Sequence, residues 1–291
     1  MDHVPGAAVD VLETPCKVNL YLGVHHGRDE RGYHRVDSLM VPVSLYDTVE
    51  VADAPALEVH HDPAIEVPAE KSTVWRAVSL LADALGVLPR VRVDVRARIP
   101  ERAGLGGSSA DAGAALRLLA SRWGAEADDE RVLAVARRVG ADVPFFLRPE
   151  AGLFVEAGDV FERSLPSLEL PLALVMPAES GVSTAEAYAE FDRSGEEPKG
   201  YDAACEALLS GDVAAVAKGL YNNLAPAACA LCPEVACVGS WLRARQGVLA
   251  AMVTGSGACT FAICESERAA AETCAAAVEQ GWRAWSAKTL V

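Results

Sequence analysis

The chain has 291 residues, enough for two ordinary domains with substantial cores, and its 51% hydrophobic and 23% charged residues match soluble globular proteins rather than disordered ones. A formal net charge of −15 opposes nonspecific nucleic-acid and membrane-surface binding, which basic clusters drive. Any anionic ligand must therefore be held by local features.

No apolar run is long enough to span a bilayer, and the opening Met1-Asp-His-Val-Pro-Gly6 has neither a basic region nor an apolar signal core, so the expected location is the cytoplasm. The eight cysteines lie mostly in apolar segments and read as reduced core residues. Cys229, Cys232 and Cys237 lack a second pair or a neighbouring histidine, which argues against a zinc site.

In chain order, β-rich runs predict strands at Ala8–Glu13, Val18–Val24, Thr48–Val51 and Ala56–His60, a helix at Thr73–Leu85 and a strand at Val91–Arg96. Helices follow at Ser109–Trp123 and Asp129–Arg138, then a strand at Gly152–Glu156. The stretch from Leu165 to Pro171, with two prolines and a serine, marks a boundary, giving domains of residues 1–165 and 166–291. The second half predicts a strand at Leu170–Met176, helices at Ala185–Phe191, Ala203–Leu209, Val213–Tyr221 and Pro233–Arg245, strands at Val248–Val253 and Cys259–Glu265, a helix at Glu267–Gln280 and a strand at Trp282–Ser286. Its β-α-β-β-α-β rhythm is that of a ferredoxin-like plan. Arg193 to Gly200 reads as a charged surface loop.

The most informative segment is Pro100-Glu-Arg-Ala-Gly-Leu-Gly-Gly-Ser-Ser-Ala-Asp-Ala112. Gly104, Gly106 and Gly107 lack the Cβ atoms that would hold a backbone away from a phosphate. Ser108 and Ser109 offer hydroxyls and helix-cap geometry, and the helix that follows offers free N–H groups and the positive end of its dipole. The alternative is a turn made small for close packing. The segment is neither a P-loop, lacking Gly-Lys-Ser/Thr, nor a dinucleotide fingerprint.

Four further segments could carry chemistry. Lys17 and Asn19 lie two apart in an apolar strand and project from one face, suggesting either a lined pocket or a solvated face. Gly32-Tyr-His34 places an aromatic plate beside a ring with one donor and one acceptor, suited to a flat heterocycle or simply a surface loop. Asp142, in Val139-Gly-Ala-Asp-Val-Pro-Phe-Phe146, is either an N-cap or a general base for phosphoryl transfer to an alcohol, with Lys17 as the stabilising cation. Val253-Thr-Gly-Ser-Gly-Ala-Cys-Thr260 is a tight hairpin or a turn that brings backbone N–H groups to a phosphate.

Taken in order, Lys17-Val-Asn-Leu-Tyr-Leu, Arg28 to His34, the glycine loop, Gly140-Ala-Asp-Val-Pro-Phe-Phe, Val182-Ser-Thr-Ala-Glu-Ala-Tyr188, Asn222-Asn-Leu-Ala-Pro and Thr254-Gly-Ser-Gly-Ala-Cys resemble the motifs of the GHMP kinases. The likeness covers nearly the whole chain and is greatest to the 4-diphosphocytidyl-2-C-methyl-D-erythritol kinase family. It implies an α+β, two-domain GHMP kinase fold, with a left-handed βαβ unit in an N-terminal ATP-binding domain and a ferredoxin-like C-terminal domain. It also implies transfer of the ATP γ-phosphate to the 2-hydroxyl of a cytidine-diphosphate-linked methylerythritol.

By matched position, Asp142 is the base and Lys17 its partner. Asn19 and Thr184 lie near the polyol and diphosphate, together with Gly255, Ser256 and Gly257. Tyr33 and Tyr188 sandwich the cytosine while His34 reads its edge. Pro100 and the loop Ala103, Gly104, Leu105, Gly106, Gly107, Ser108 and Ser109 cradle ATP, with Ser72 toward the adenine. Magnesium travels with ATP, its protein ligands unassigned. The expected partner is the small-molecule acceptor, with no nucleic acid or membrane, in a monomer or homodimer. An acceptor of another kind, or a catalytically silent metabolite-binding paralogue, are the alternatives.

This chain departs from the family pattern at Ser108, where a third glycine is usual, at Arg31, where an Asp is usual, and at Ser72, where an Asn is usual. The Gly152 to Asp159 segment also lacks the usual Gly-Glu ending.

Overall fold

The computed structural model describes residues 9–179 and 181–291. In chain order its elements are β1 (Asp10–Arg28), β2 (His34–Asp53), β3 (Glu58–Asp62), α1 (Thr73–Leu85), β4 (Val91–Arg96), α2 (Gly107–Arg122), α3 (Glu130–Val139), α4 (Val143–Leu147), β5 (Gly152–Val155), β6 (Val160–Ser164) and β7 (Pro171–Met176). They continue with α5 (Thr184–Ser194), α6 (Asp202–Ser210), α7 (Val213–Gly219), β8 (Tyr221–Asn222), α8 (Ala225–Leu231), α9 (Pro233–Arg243), β9 (Val248–Val253), β10 (Thr260–Cys264), α10 (Glu267–Glu279) and β11 (Arg283–Lys288). The described residues form two compact units that interleave along the chain: residues 9–15 with Tyr46–Ile99 and Gly107–Arg148, and Cys16–Leu45 with Pro100–Gly106 and Pro149–Val291.

In the first unit, β4 pairs antiparallel with the second half of β2 and parallel with β3. Helix α1 forms because Val74, Ala77, Val78, Leu81 and Ala82 recur at helical spacing, and it is bounded by the Ser72 cap and a left-handed Gly86. Its apolar stripe joins Val49, Val51, Val93 and Val95 with Leu116, Leu119, Val132 and Val135 in one core. Gly113 lets α2 lie against α4, since a Cβ there would meet Phe146 Cβ at 2.4 Å.

In the second unit, the antiparallel sheet runs β11-β7-β10-β9, with β9 and β10 joined by a tight turn. Numbering its strands in chain order gives 4-1-3-2, the order of a ferredoxin-like β-α-β-β-α-β unit, in agreement with the sequence pattern. Val238 and Leu242 of α9 and Ala270, Cys274 and Ala277 of α10 pack on Ala173, Val175 and Ala262 of the sheet. Also in this unit, β8 pairs parallel with β1, and the β5–β6 hairpin pairs with the first half of β2.

Several predicted boundaries shift for physical reasons. The two strands expected at Ala8–Glu13 and Val18–Val24 are one strand, because Thr14 to Val24 is buried throughout and shows no alternation; Ala8 lies outside the described residues. The first half of β2 is hidden in the same way, by a buried run from Val36 to Val43. The helix expected to reach Tyr221 stops at Gly219, and Tyr221–Asn222 is β8. The loop expected at Arg193 to Gly200 begins after Ser194. It is strapped down by the Tyr21 hydroxyl, which donates to Lys199 O, and by Asn223 Nδ2, which donates to Glu196 O at 2.9 Å.

Candidate active site

Lys17 and Asn19 do project from one face of β1, but that face is buried: the two residues are each 2% exposed. Lys17 Nζ donates to Asn19 Oδ1 at 2.9 Å. The same oxygen accepts the Gly255 N–H at 2.9 Å and the Thr254 hydroxyl at 3.1 Å, while Asn19 Nδ2 donates to Ser38 Oγ at 2.8 Å. An ammonium out of water is costly unless its protons are satisfied. The Asn19 amide is therefore engaged on every side, fixing the cation and tying β1 to the turn between β9 and β10.

That turn and the glycine loop press on each other. Gly104 has φ +75°, and a Cβ there would lie 2.1 Å from Thr254 O. Gly255 faces it, and a Cβ on that residue would lie 2.9 Å from Gly104 O. The Ala258 and Cys259 amides donate to Arg102 O and Ala103 O at 2.9 and 3.0 Å, and Leu105 O accepts the Lys17 amide at 3.0 Å. Close packing thus explains Gly104, and the Gly255 N–H is spent on Asn19. Arg102, Gly104 and Gly106 all have positive φ. Left-handed residues at alternate positions are the raw material of anion-binding backbone nests. Pro100, Ala103 and Leu105 are buried anchors of the loop.

Helix α2 starts at Gly107, so Ser108 and Ser109 lie inside its first turn rather than capping it. Ser108 is exposed, and the first-turn amides have no carbonyl of their own helix to meet. A Cβ at Gly107 would stand 3.2 Å from Ile99 Cγ2, a tight contact that a small shift of that side chain could relieve. Ser72 is 5% exposed, and its hydroxyl caps α1 by accepting the Trp75 amide at 3.1 Å. Asp142 precedes α4 but its side chain makes no capping hydrogen bond. Asp142 thus holds the N-cap position of α4 without a side-chain cap.

On the second unit, His34 is 4% exposed and stacks on Tyr188, with centroids 5.3 Å apart and ring planes at 27°. Tyr33 is 49% exposed, with the Arg31 guanidinium 5.2 Å from its ring centre. The Thr184 and Ser256 hydroxyls are 2.9 Å apart. Gly257, at φ +86°, places its amide 3.0 Å from Thr254 O. Sequence reasoning missed Asp192, which stands beside both His34 and Arg28. No local motif marks it, because its partners lie more than 150 residues away. Among the described residues, no three His, Cys, Asp or Glu side chains gather to hold a metal ion, and no helix is long and apolar enough to cross a membrane.

Comparison with known proteins agrees with this architecture. Family models for the GHMP kinases N terminal domain and the GHMP kinases C terminal domain match residues 72–149 and 204–283. The chain is 33% identical over 277 residues to the 4-diphosphocytidyl-2-C-methyl-D-erythritol kinase of Desulfitobacterium hafniense, covering 94% of each. It is 37% identical to that of Nocardia farcinica, covering 89% of this chain and 86% of the relative. A crystal structure of 4-(cytidine 5'-diphospho)-2C-methyl-D-erythritol kinase superimposes with a TM-score of 0.76 at 32% identity, over 96% of this chain and 99% of that one. Homoserine kinase from Cytophaga hutchinsonii shares the fold, with a TM-score of 0.72 at 17% identity. The chain belongs to the 4-diphosphocytidyl-2-C-methyl-D-erythritol kinase family of the GHMP kinases.

Proposed function

We propose that this chain transfers the γ-phosphate of ATP to the tertiary 2-hydroxyl of 4-diphosphocytidyl-2-C-methyl-D-erythritol, in the cytoplasm, as a step of non-mevalonate isoprenoid precursor biosynthesis. The observation that carries the reading is the buried Lys17 ammonium, held by Asn19 to a turn that itself packs on Gly104. A fixed cation and a glycine-rich loop with alternate left-handed residues thus belong to one compact unit, as phosphoryl transfer requires of its positioning groups.

In this mechanism the 2-hydroxyl oxygen forms a bond to the γ-phosphorus as the bond from that phosphorus to the β–γ bridging oxygen breaks, releasing ADP. Asp142 takes the hydroxyl proton, and Lys17 stabilises the charge developing on the transferred group. The glycine loop and the first turn of α2, with Ser108 and Ser109, hold the ATP phosphates. Magnesium carried in with ATP would supply further charge neutralisation there, beside Ser108 and Ser109. Thr184 and Ser256 offer hydroxyls to the polyol and diphosphate, Tyr33 and Tyr188 stack on the cytosine, and His34 reads its edge. The division into an ATP-binding domain of residues 1–165 and a C-terminal domain of residues 166–291 follows the same reading, as does assembly as a monomer or homodimer.

A coupled ADP-release assay across the cytidine-linked alcohol, homoserine, mevalonate and galactose tests it. The expected result is turnover with the first acceptor, abolished in Asp142→Ala while ATP binding persists. Turnover of another acceptor instead overturns the substrate, and unchanged activity in Asp142→Ala overturns the base.

A further inference from the structure

His34 Nδ1 lies 2.7 Å from the His25 carbonyl oxygen. A carbonyl only accepts, so Nδ1 carries the proton, and in the neutral ring Nε2 is left as an acceptor. That nitrogen is buried and has no hydrogen-bond partner among the described residues. Tyr188 covers one face of the ring, and Phe191 meets it edge-on at 5.8 Å and 89°. The charged atom beside it is Asp192 Oδ1, 3.2 Å away, in a direction that makes no hydrogen bond with the ring. Asp192 Oδ2 accepts from the Arg28 guanidinium in a surface ion pair that favours this orientation of the carboxylate. Arg28 is in turn fixed by donating from Nη1 to Gly32 O at 2.8 Å.

Two acceptors thus stand side by side, one of them almost fully buried, and neither supplies a proton to the other. The buried His34 Nε2 is left unsatisfied until an N–H donor arrives, and the solvent-exposed Asp192 carboxylate beside it offers the acceptor for a second N–H of the same group. A carbonyl oxygen in the same place would face two lone pairs and no proton.

We propose that Asp192 is a specificity-determining residue: its Oδ1 and His34 Nε2 together accept the two protons of the exocyclic amino group of a cytosine ring and so reject uracil, which carries oxygen at that position. The inference rests on the cytidine-linked acceptor proposed above and adds to it a residue that reads the base. Arg28 acts as a positioning residue, holding the carboxylate with one oxygen toward the ring. A site built to hydrogen-bond one group discriminates strongly against an analogue that cannot complete the bonds, here on the order of 10²-fold or more for a partly exposed pair.

The test compares kcat/KM for the cytidine-linked acceptor and its uridine-linked counterpart in the native enzyme, Asp192→Asn and Asp192→Ala, with thermal melting as a folding control. In Asp192→Asn the amide can turn an N–H toward the ligand, so the cytidine-to-uridine ratio is expected to fall at least about tenfold, with the KM for the cytidine-linked acceptor rising. As a measurement independent of the variants, CDP should bind the native protein at least about tenfold more tightly than UDP. An unchanged ratio in Asp192→Asn, or equal affinity of the native protein for CDP and UDP, overturns the assignment. Failure of the native enzyme to use the cytidine-linked alcohol at all would instead overturn the proposed reaction, which keeps the two failures distinct.

Discussion

Arg31 Nη1 donates to Asp159 Oδ2 at 2.6 Å, joining two segments 128 residues apart. Asp159 is 1% exposed and also accepts the Ala157 amide at 3.3 Å, so its charge needs a partner. The hydrogen bond Arg31 donates to Asp159, with the one it donates to Asp29, raises the Arg31 pKa further above its already high value. Replacing Arg31 with Ala should therefore cost about 1–3 kcal/mol, and replacing both Arg31 and Asp159 should cost less than the sum of the single changes. A double-mutant cycle by chemical denaturation measures this, and additive effects would show that the pair is incidental.

Gly104 makes the sharpest stability prediction. It combines a left-handed φ with a backbone oxygen 2.1 Å from any Cβ, so the Thr254 turn would have to move. Gly104→Ala should destabilise the protein by on the order of 3–5 kcal/mol and raise the KM for ATP. Gly86→Ala shares the positive φ at the end of α1, but there a Cβ meets open space. It should cost only about 1 kcal/mol. Equal losses at the two positions would mean that backbone strain, not the contact between the turn and the loop, sets the cost.

The contrast shows what the sequence could and could not reveal. Element positions were legible wherever periodicity was clean: α1, β4 and β9 lie where Thr73–Leu85, Val91–Arg96 and Val248–Val253 predicted them. Long strands buried on both faces were not, because β1 and β2 lose their alternation through the core. That Lys17 and Asn19 share one face followed from strand geometry, but their hydrogen bond to each other did not. That Asn19 would be consumed by Gly255 and Thr254 could not be read, since those contacts join residues 235 and 236 apart. Asp192 was illegible for the same reason.

Burial pushes the thiols of Cys259 and Cys274 up to about 12 and that of Cys264 up to about 11, from an ordinary 9.0. Between about pH 9 and pH 12 the unfolded chain loses these protons while the folded one keeps them. The unfolded state then binds fewer protons, so stability falls as pH rises, each thiol adding a slope of up to about 1.4 kcal/mol per pH unit. Stability from these groups is fully present below pH 9. Unfolding free energies at pH 8, 9.5 and 10.5 check this, and Cys259→Ala should flatten the slope. Iodoacetamide at pH 8 should label exposed Cys237 well before the buried three.

Asn19 separates two roles that look alike in a kinetic screen. If it positions Lys17, Asn19→Ala strips an acceptor from a buried ammonium, from the Gly255 amide and from the Thr254 hydroxyl together. Stability should fall by about 2–4 kcal/mol. The misplaced cation should lower kcat roughly 10²-fold with little change in the KM of the acceptor. Asn19→Asp keeps the accepting oxygen and loses only the donation to Ser38, so it should recover most of the stability and part of kcat. If instead the Asn19 amide bound the acceptor directly, both variants would raise that KM and leave kcat at saturation largely intact. Steady-state kinetics of the two variants beside their melting curves distinguishes these outcomes, and the hydrogen bonds that amide already makes to Lys17, Gly255, Thr254 and Ser38 favour the first.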